Sequence, residues 1–235
     1  MSSSGKKYGL SREQEQLAAR YFGRHVTGVK AAALLAVALI MCLSPILMGL
    51  RLWDSIPEII STGLTDMAGN DDPLPRWALV CALPGLAAVL TLICHGQLWL
   101  NQRRQTVPKA SVRLLGRWVI PVVTLFFNSW AISSCGGAAV GPGFVLPCAV
   151  GAALALLGGR LFDCERGSSL GLNFGYALHS EDAWRNIHRA AGYCSMAAGL
   201  LIILSLELLG RLPAYIAAAA ALALVSPVIY CALRR

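Results

Sequence analysis

The chain has 235 residues, of which 56% are hydrophobic and only 14% are charged. An ordinary soluble domain carries about 25% charged residues on a polar surface, so a single water-soluble core cannot hide this much apolar sequence. Disordered chains are polar and charge-rich, and eight cysteines are too dilute for a disulfide-stapled mini-domain. The composition therefore indicates a polytopic membrane protein.

The chain begins with a polar arm, residues 1–30, in which no cleavable signal peptide is evident. Ser11, followed by Glu13 and Glu15, predicts the start of a short cytoplasmic or interfacial helix in this arm. The remaining residues, 31–235, form the predicted membrane domain. An amphipathic helix against the membrane and a plain solvated arm both fit the sequence.

Six apolar segments follow the arm. A bilayer core about 30 Å thick needs about 20 apolar residues in a helix, and lipid leaves no other partner for backbone polar groups. Cys-Gly-Gly at 135–137 and Gly-Pro-Gly at 141–143 divide one long uncharged stretch into a hairpin of two helices. The predicted fold is all-α, a bundle of about six transmembrane helices near residues 31–50, 77–100, 118–134, 143–157, 190–209 and 212–233.

The basic residues predict the orientation of this bundle. Seventeen of the 20 Lys and Arg residues lie in the N-terminal arm, the loops after the second and fourth spans and the C-terminal tail, against three in the other loops. The positive-inside rule then places both termini in the cytoplasm. The net charge of +8 is explained by this topology beside anionic lipid, and we expect no nucleic-acid partner.

The cysteines give no sign of metal or redox chemistry. Seven of the eight fall in or at the ends of predicted spans, no Cys-x-x-Cys occurs, and none stands beside a histidine at zinc spacing. Small polarizable side chains of this kind pack between helices. We therefore expect no metal site and no cofactor.

The loop between the first two spans, residues 51–76, is acidic. It holds five Asp and Glu residues against two arginines, a net charge of −3. An acidic outer loop attracts a cationic peptide, whereas a solvated loop kept free of positive charge by topology gives the same composition. The residues predicted to contact such a peptide are Trp53, Asp54, Glu58 and Asp66.

The loop between spans four and five, residues 159–189, is too long for a minimal connector. Ser180 is a good N-cap, and Glu181 and Asp182 suit the positive end of a helix dipole. We therefore expect a helix that begins here and continues into span five. At 100° per residue, one face of that helix carries Glu181, Trp184, Arg185, His188 and Gly192, and Glu181 and Arg185 are spaced to form an i, i+4 pair.

This string resembles the signature of the SdpI-like family, bacterial multi-pass proteins typified by an immunity protein against a secreted killing peptide. That signature has a glycine-led turn, an acidic helix start with Trp, and then His-Arg and Gly at fixed spacing. Asn173 and Gly175 stand where the family usually has Arg and Pro, and Arg160 replaces a common Asn. The matching positions here are Gly171, Leu178, Glu181, Asp182, Trp184, His188, Arg189 and Gly192, with Tyr176 at an aromatic position.

The resemblance implies a function and a location. The chain would be a protein of the bacterial inner membrane that gives immunity to a membrane-active peptide toxin. It would also relay the toxin's presence by capturing a soluble cytoplasmic repressor. The signature residues Gly171, Glu181, Asp182, Trp184, His188, Arg189 and Gly192 are then the predicted partner-binding set.

Two other functions fit a membrane bundle. An intramembrane enzyme could use Glu181, His188 and His95, but the spacing from Glu181 to Arg185 is one residue short of the Glu-Glu-x-x-x-Arg motif, and we expect no catalysis. A small-solute transporter needs charges or broken helices in its spans, which are scarce here. Glu207 is expected to reach the outer interface and pair with Arg211, and Asn128 to bond a neighbouring helix.

Overall fold

The fold is known from a computed structural model that describes residues 28–65, 71–103, 110–137, 141–162, 164, 171–172 and 180–233. Most of the predicted arm and Asp66 of the acidic loop lie outside the described residues. So do the signature positions Leu178, Tyr176, Asn173 and Gly175.

Helices make up most of the described chain. Five helical segments are long and apolar enough to cross a membrane: Gly28–Arg51, Ala78–Leu100, Leu114–Cys135, Pro142–Leu161 and Glu181–Leu209, with a shorter apolar helix at Ala214–Tyr230. These findings confirm the predicted all-α polytopic class. The α-helices are α1 (Gly28–Leu43), α2 (Pro45–Arg51), α3 (Leu83–Arg103), α4 (Ala110–Cys135), α5 (Pro142–Leu161), α6 (Glu181–Leu209) and α7 (Ala214–Leu233).

A short two-stranded antiparallel sheet interrupts the helices between α2 and α3. Strand β1 (Ile59–Thr65) pairs with β2 (Asp71–Pro75), and the register shifts between Ser61 and Thr65. The sequence pattern predicts a loop in this segment, and that prediction is wrong for the residues of the hairpin. We call the end of the bundle that carries it the hairpin end, and the end where α5 finishes and α6 begins the loop end.

A π-helical segment, Ala78–Ala82, leads into α3 and explains a buried side-chain contact. The N–H of Leu83 bonds the carbonyl of Ala78 five residues earlier, and the next donor in that pattern is residue 84, a proline without an N–H. The carbonyl of Leu79 instead accepts the Asn128 side-chain amide at 3.1 Å. Asn128 thus bonds a neighbouring helix, as predicted.

Two of the apolar clusters among the described residues are the main contacts between the helices of the bundle. The larger runs through its middle, where Leu34 of α1, Leu125 of α4, Ala155 of α5 and Ile203 of α6 are at most 1% exposed. The smaller lies at the hairpin end, and Ile60 and Leu74 of the sheet pack against it. One face of the hairpin is therefore seated on the helices.

Helices α5 and α6 approach each other along a set of paired glycines, which we call the glycine seam. A Cβ on Gly158 would stand 2.6 Å from the carbonyl oxygen of Gly192, and a Cβ on Gly151 would stand 2.9 Å from that of Gly199. Both distances are too short for real side chains, so only glycine permits this separation. The Ser195 hydroxyl adds a bond to the carbonyl of Leu154 at 2.8 Å. Small residues and polar bonds of this kind hold membrane helices together.

Candidate functional site

The signature residues meet at the loop end, around the first turns of α6. The Ser180 side chain accepts the N–H of Ala183 at 3.0 Å, and the helix runs unbroken from Glu181 to Leu209. Arg185 lies 3.8 Å from Glu181 as an i, i+4 pair. The predicted cap, helix start and ion pair are all confirmed.

Trp184 is turned into the protein and fixed there by its polar edge. Its side chain is 3% exposed, and its indole N–H donates to the carbonyl of Cys164 at 2.9 Å. Its ring is stacked on that of His188, with centroids 3.9 Å apart and an angle of 27° between the planes. The aromatic pair therefore links the chain after α5 to the start of α6.

His188 uses both ring nitrogens to bind backbone. Its Nε2 accepts the N–H of Leu172 at 2.8 Å, and its Nδ1 lies 2.8 Å from the carbonyl oxygen of Trp184. A carbonyl oxygen only accepts, so Nδ1 must carry the proton and the ring is the neutral Nδ1–H tautomer. No ring lone pair is left for a metal ion, so the geometry gives His188 a structural bonding role.

Gly171 completes this arrangement because it lies flat against the aromatic pair. A Cβ there would stand 2.6 Å from Cζ2 of Trp184 and 3.3 Å from Nε2 of His188. Any side chain would push the loop off the indole and stretch the bond between Leu172 and His188. We call Gly171, Leu172, Trp184 and His188 the loop clamp.

The structure separates the predicted partner-binding set into two groups. Trp184, His188 and Gly192 are buried, and Gly192 belongs to the glycine seam with α5. Glu181, Asp182 and Arg189 are exposed beside the clamp. In this arrangement the buried residues hold the loop in place, and the charged residues form the accessible surface next to it.

The candidates of the acidic loop lie at the other end of the bundle, around Arg76. Its guanidinium donates to the carbonyls of Trp53 at 2.8 Å and Ile56 at 3.2 Å, and lies 3.5 Å from the Glu58 carboxylate. It also lies 4.7 Å from the centroid of the Trp53 ring. Trp53 is thus partly buried in the turn before β1, whereas Asp54 and Glu58 are exposed.

Glu207 corrects one expectation. It was predicted to reach the interface and pair with Arg211, but it is 0% exposed and accepts the Ser129 hydroxyl of α4 at 2.6 Å. Its Oε2 has no hydrogen-bond partner among the described residues. The helix face of Glu207 points into the bundle, and the sequence spacing to Arg211 did not reveal this.

The guanidinium of Arg51 lies against the end of α6 at Gly210, three residues after Glu207. It is packed so closely on Gly210 that a Cβ at Gly210 would overlap it. Gly210 ends α6 in the left-handed conformation, at φ 69°. Arg51 from the end of α2 thus covers the end of α6 near Glu207.

These features define a polytopic helical membrane protein whose fifth span begins at a clamped loop. Residues 164–231 match the SdpI/YfhL protein family. The match includes the whole loop clamp and the seam residue Gly192, and it confirms the resemblance predicted from the signature. This part of the chain is therefore similar to the SdpI/YfhL family. No curated protein and no solved structure matches the chain.

Proposed function

We propose that the protein gives a bacterium immunity to a secreted membrane-active peptide, from the inner membrane, with both termini in the cytoplasm. The observation that carries the proposal is the loop clamp within the SdpI/YfhL-type region. Gly171, Trp184 and His188, which carry the resemblance to an immunity family, contact one another. In this orientation the hairpin end faces outward and the loop end faces the cytoplasm.

The same geometry supports a relay to a soluble repressor. Helix α6 is continuous from the clamp to the buried Glu207 near the hairpin end. A peptide that binds two packings of the bundle with different affinity shifts their populations. A shift of α6 against α5 would move the clamp and the exposed charges of Glu181, Asp182 and Arg189. A soluble partner would bind those charged residues in one packing of the bundle and not in the other.

A protection assay tests the proposal. A sensitive bacterium would express the chain or a Trp184→Ala/His188→Ala double variant, and would be challenged with secreted killing peptides. Gly85→Ala serves as the matched control, since a Cβ there meets nothing within 4 Å. We expect protection by the wild type and the control, and its loss in a double variant of equal membrane abundance. Equal protection by the double variant would refute the role of the clamp.

Transport of a small cationic solute is a second candidate, and the buried Glu207 favours it. Ionisable residues inside membrane spans commonly mark ion or substrate paths. One comparison distinguishes immunity from transport. A Glu207→Gln variant would abolish any uptake that depends on the carboxylate. Protection that survives this change while the Trp184/His188 variant fails would exclude transport as its cause.

A further inference from the structure

The hairpin has one edge that can accept another strand and one that cannot. The N–H of Arg76 donates to the carbonyl of Glu58 at 2.9 Å, just beyond the paired residues Ile59 and Pro75. Bonded and non-bonded pairs alternate along an antiparallel ladder. The backbone groups of Ile60 and Leu74 therefore bond each other across the hairpin. In the pairs Ile59–Pro75 and Ser61–Pro73 the backbone groups point outward, away from the partner strand.

Proline blocks the outward edge of β2. Both outward positions there, 73 and 75, are prolines, which have no N–H to offer a neighbouring strand. The outward positions of β1 are Ile59 and Ser61, and both retain donor and acceptor. The backbone bonds found among the described residues include none to these outward groups. The edge of β1 is thus an open template for pairing.

The surroundings of this edge are apolar next to the strand and acidic around it. Ile59 is 68% exposed although it is a large hydrophobic residue. Glu58, directly before β1, has 87% of its side chain exposed, and Asp54 is exposed in the preceding turn. With the net charge of −3 across residues 51–76, this surface favours a partner of positive charge.

We propose that the open edge of β1 binds an extended cationic peptide as a third strand. Main-chain bonds to Ile59 and Ser61 supply affinity, Ile59 contacts an apolar side chain of the peptide, and Glu58 and Asp54 select basic residues. This inference rests on the proposed function, because it names the chemistry of the peptide that the hairpin end meets. It adds a binding mode that the family resemblance does not contain.

The experiment uses the full chain in lipid nanodiscs and a fluorescent peptide of alternating lysine and valine. Binding is measured by anisotropy for Ser61→Pro and for its matched control Ser61→Thr. Proline removes the outward N–H and leaves the inward bonds of β1 intact, whereas threonine keeps the donor. We expect the control to bind like the wild type and Ser61→Pro to bind about tenfold more weakly.

Two altered probes test the mode and the charge. The same peptide, N-methylated on alternate amides so that the edge facing β1 lacks donors, should also lose about tenfold in affinity. A glutamate–valine peptide should not bind measurably. Equal affinity of Ser61→Pro and Ser61→Thr, or of the methylated and unmodified peptides, would overturn the proposal.

A second copy of the chain is the competing occupant of the edge. The proposal fails if the wild type does not bind the peptide and Ser61→Pro converts a dimer in nanodiscs to a monomer. In that case the edge serves self-association. The binding result is independent of protection in cells. Protection without peptide pairing would leave the proposed function standing and remove only this mode, whereas pairing without protection would do the reverse.

Discussion

The backbone of Gly192 on α6 touches that of Gly158 on α5, so that a Cβ on Gly192 would stand 2.9 Å from the Gly158 carbonyl oxygen. One turn earlier on the same helix, His188 bonds the loop that leaves α5. The glycine seam and the loop clamp therefore form one continuous junction between the two helices. A change in their separation must alter the loop.

A methyl group at Gly192 should separate α5 from α6. We expect Gly192→Ala to lower the free energy of unfolding by about 1–3 kcal/mol, because the added carbon meets rigid backbone. Thermal denaturation in detergent measures the loss. Gly85→Ala is the control, with open space around its Cβ, and should be neutral or slightly stabilising. Equal stability of the two variants would show that the seam relaxes at little cost.

His188→Leu should release the loop from α6. The variant leaves the N–H of Leu172 without its acceptor, which costs about 1 kcal/mol and raises the hydrogen-exchange rate of that amide. His188→Gln places a side-chain oxygen within reach of the same N–H. It should therefore restore much of that amide's protection from hydrogen exchange. Hydrogen exchange measured by mass spectrometry, on the peptide that contains Leu172, compares the two variants. If His188→Leu and His188→Gln show the same exchange rate there, the bond does not hold the loop.

The sequence predicted the helices and the start of α6 because their signals are local. Apolar length specifies a span, and Ser180 with Glu181 and Asp182 specifies a helix start. The signature also marked Gly171, Trp184 and His188, but not their mutual contacts, since these depend on how the loop folds back. The spacing placed Trp184 and His188 on one face of the helix, but it did not indicate that their side chains are buried.

Longer-range features were beyond the local patterns. Glu207 was placed by its distance to Arg211 along the chain, but its partner is Ser129, 78 residues away. The hairpin was missed because its strands are short and β2 contains two prolines, which argue against a strand except at an edge. Both cases depend on three-dimensional packing.

Arg76→Lys should loosen the base of the hairpin although the charge is kept. One guanidinium reaches the carbonyls of Trp53 and Ile56 and the Glu58 carboxylate together, and a lysine ammonium cannot reproduce that planar fork. We expect a loss of about 1–2 kcal/mol in local stability, seen as faster hydrogen exchange of the Ile60 amide. Arg185→Lys, at an exposed i, i+4 pair, is the control. It should leave this amide unchanged.

Ser129→Ala should destabilise the bundle through Glu207. The hydroxyl is the one donor to this carboxyl among the described residues, and its removal leaves a buried polar group without hydrogen bonds, at a cost of about 1–3 kcal/mol.

The same change made in a Glu207→Met background should cost little, because no carboxyl remains to be stranded. Ser205→Ala controls for loss of a buried hydroxyl, since Ser205 bonds the carbonyl of Ile202 on its own helix. Unfolding free energies of the wild type, Ser129→Ala, Glu207→Met and the double variant close a double-mutant cycle. Its coupling free energy should be about 1–2 kcal/mol. A coupling near zero would mean that Ser129 and Glu207 stabilise the bundle independently.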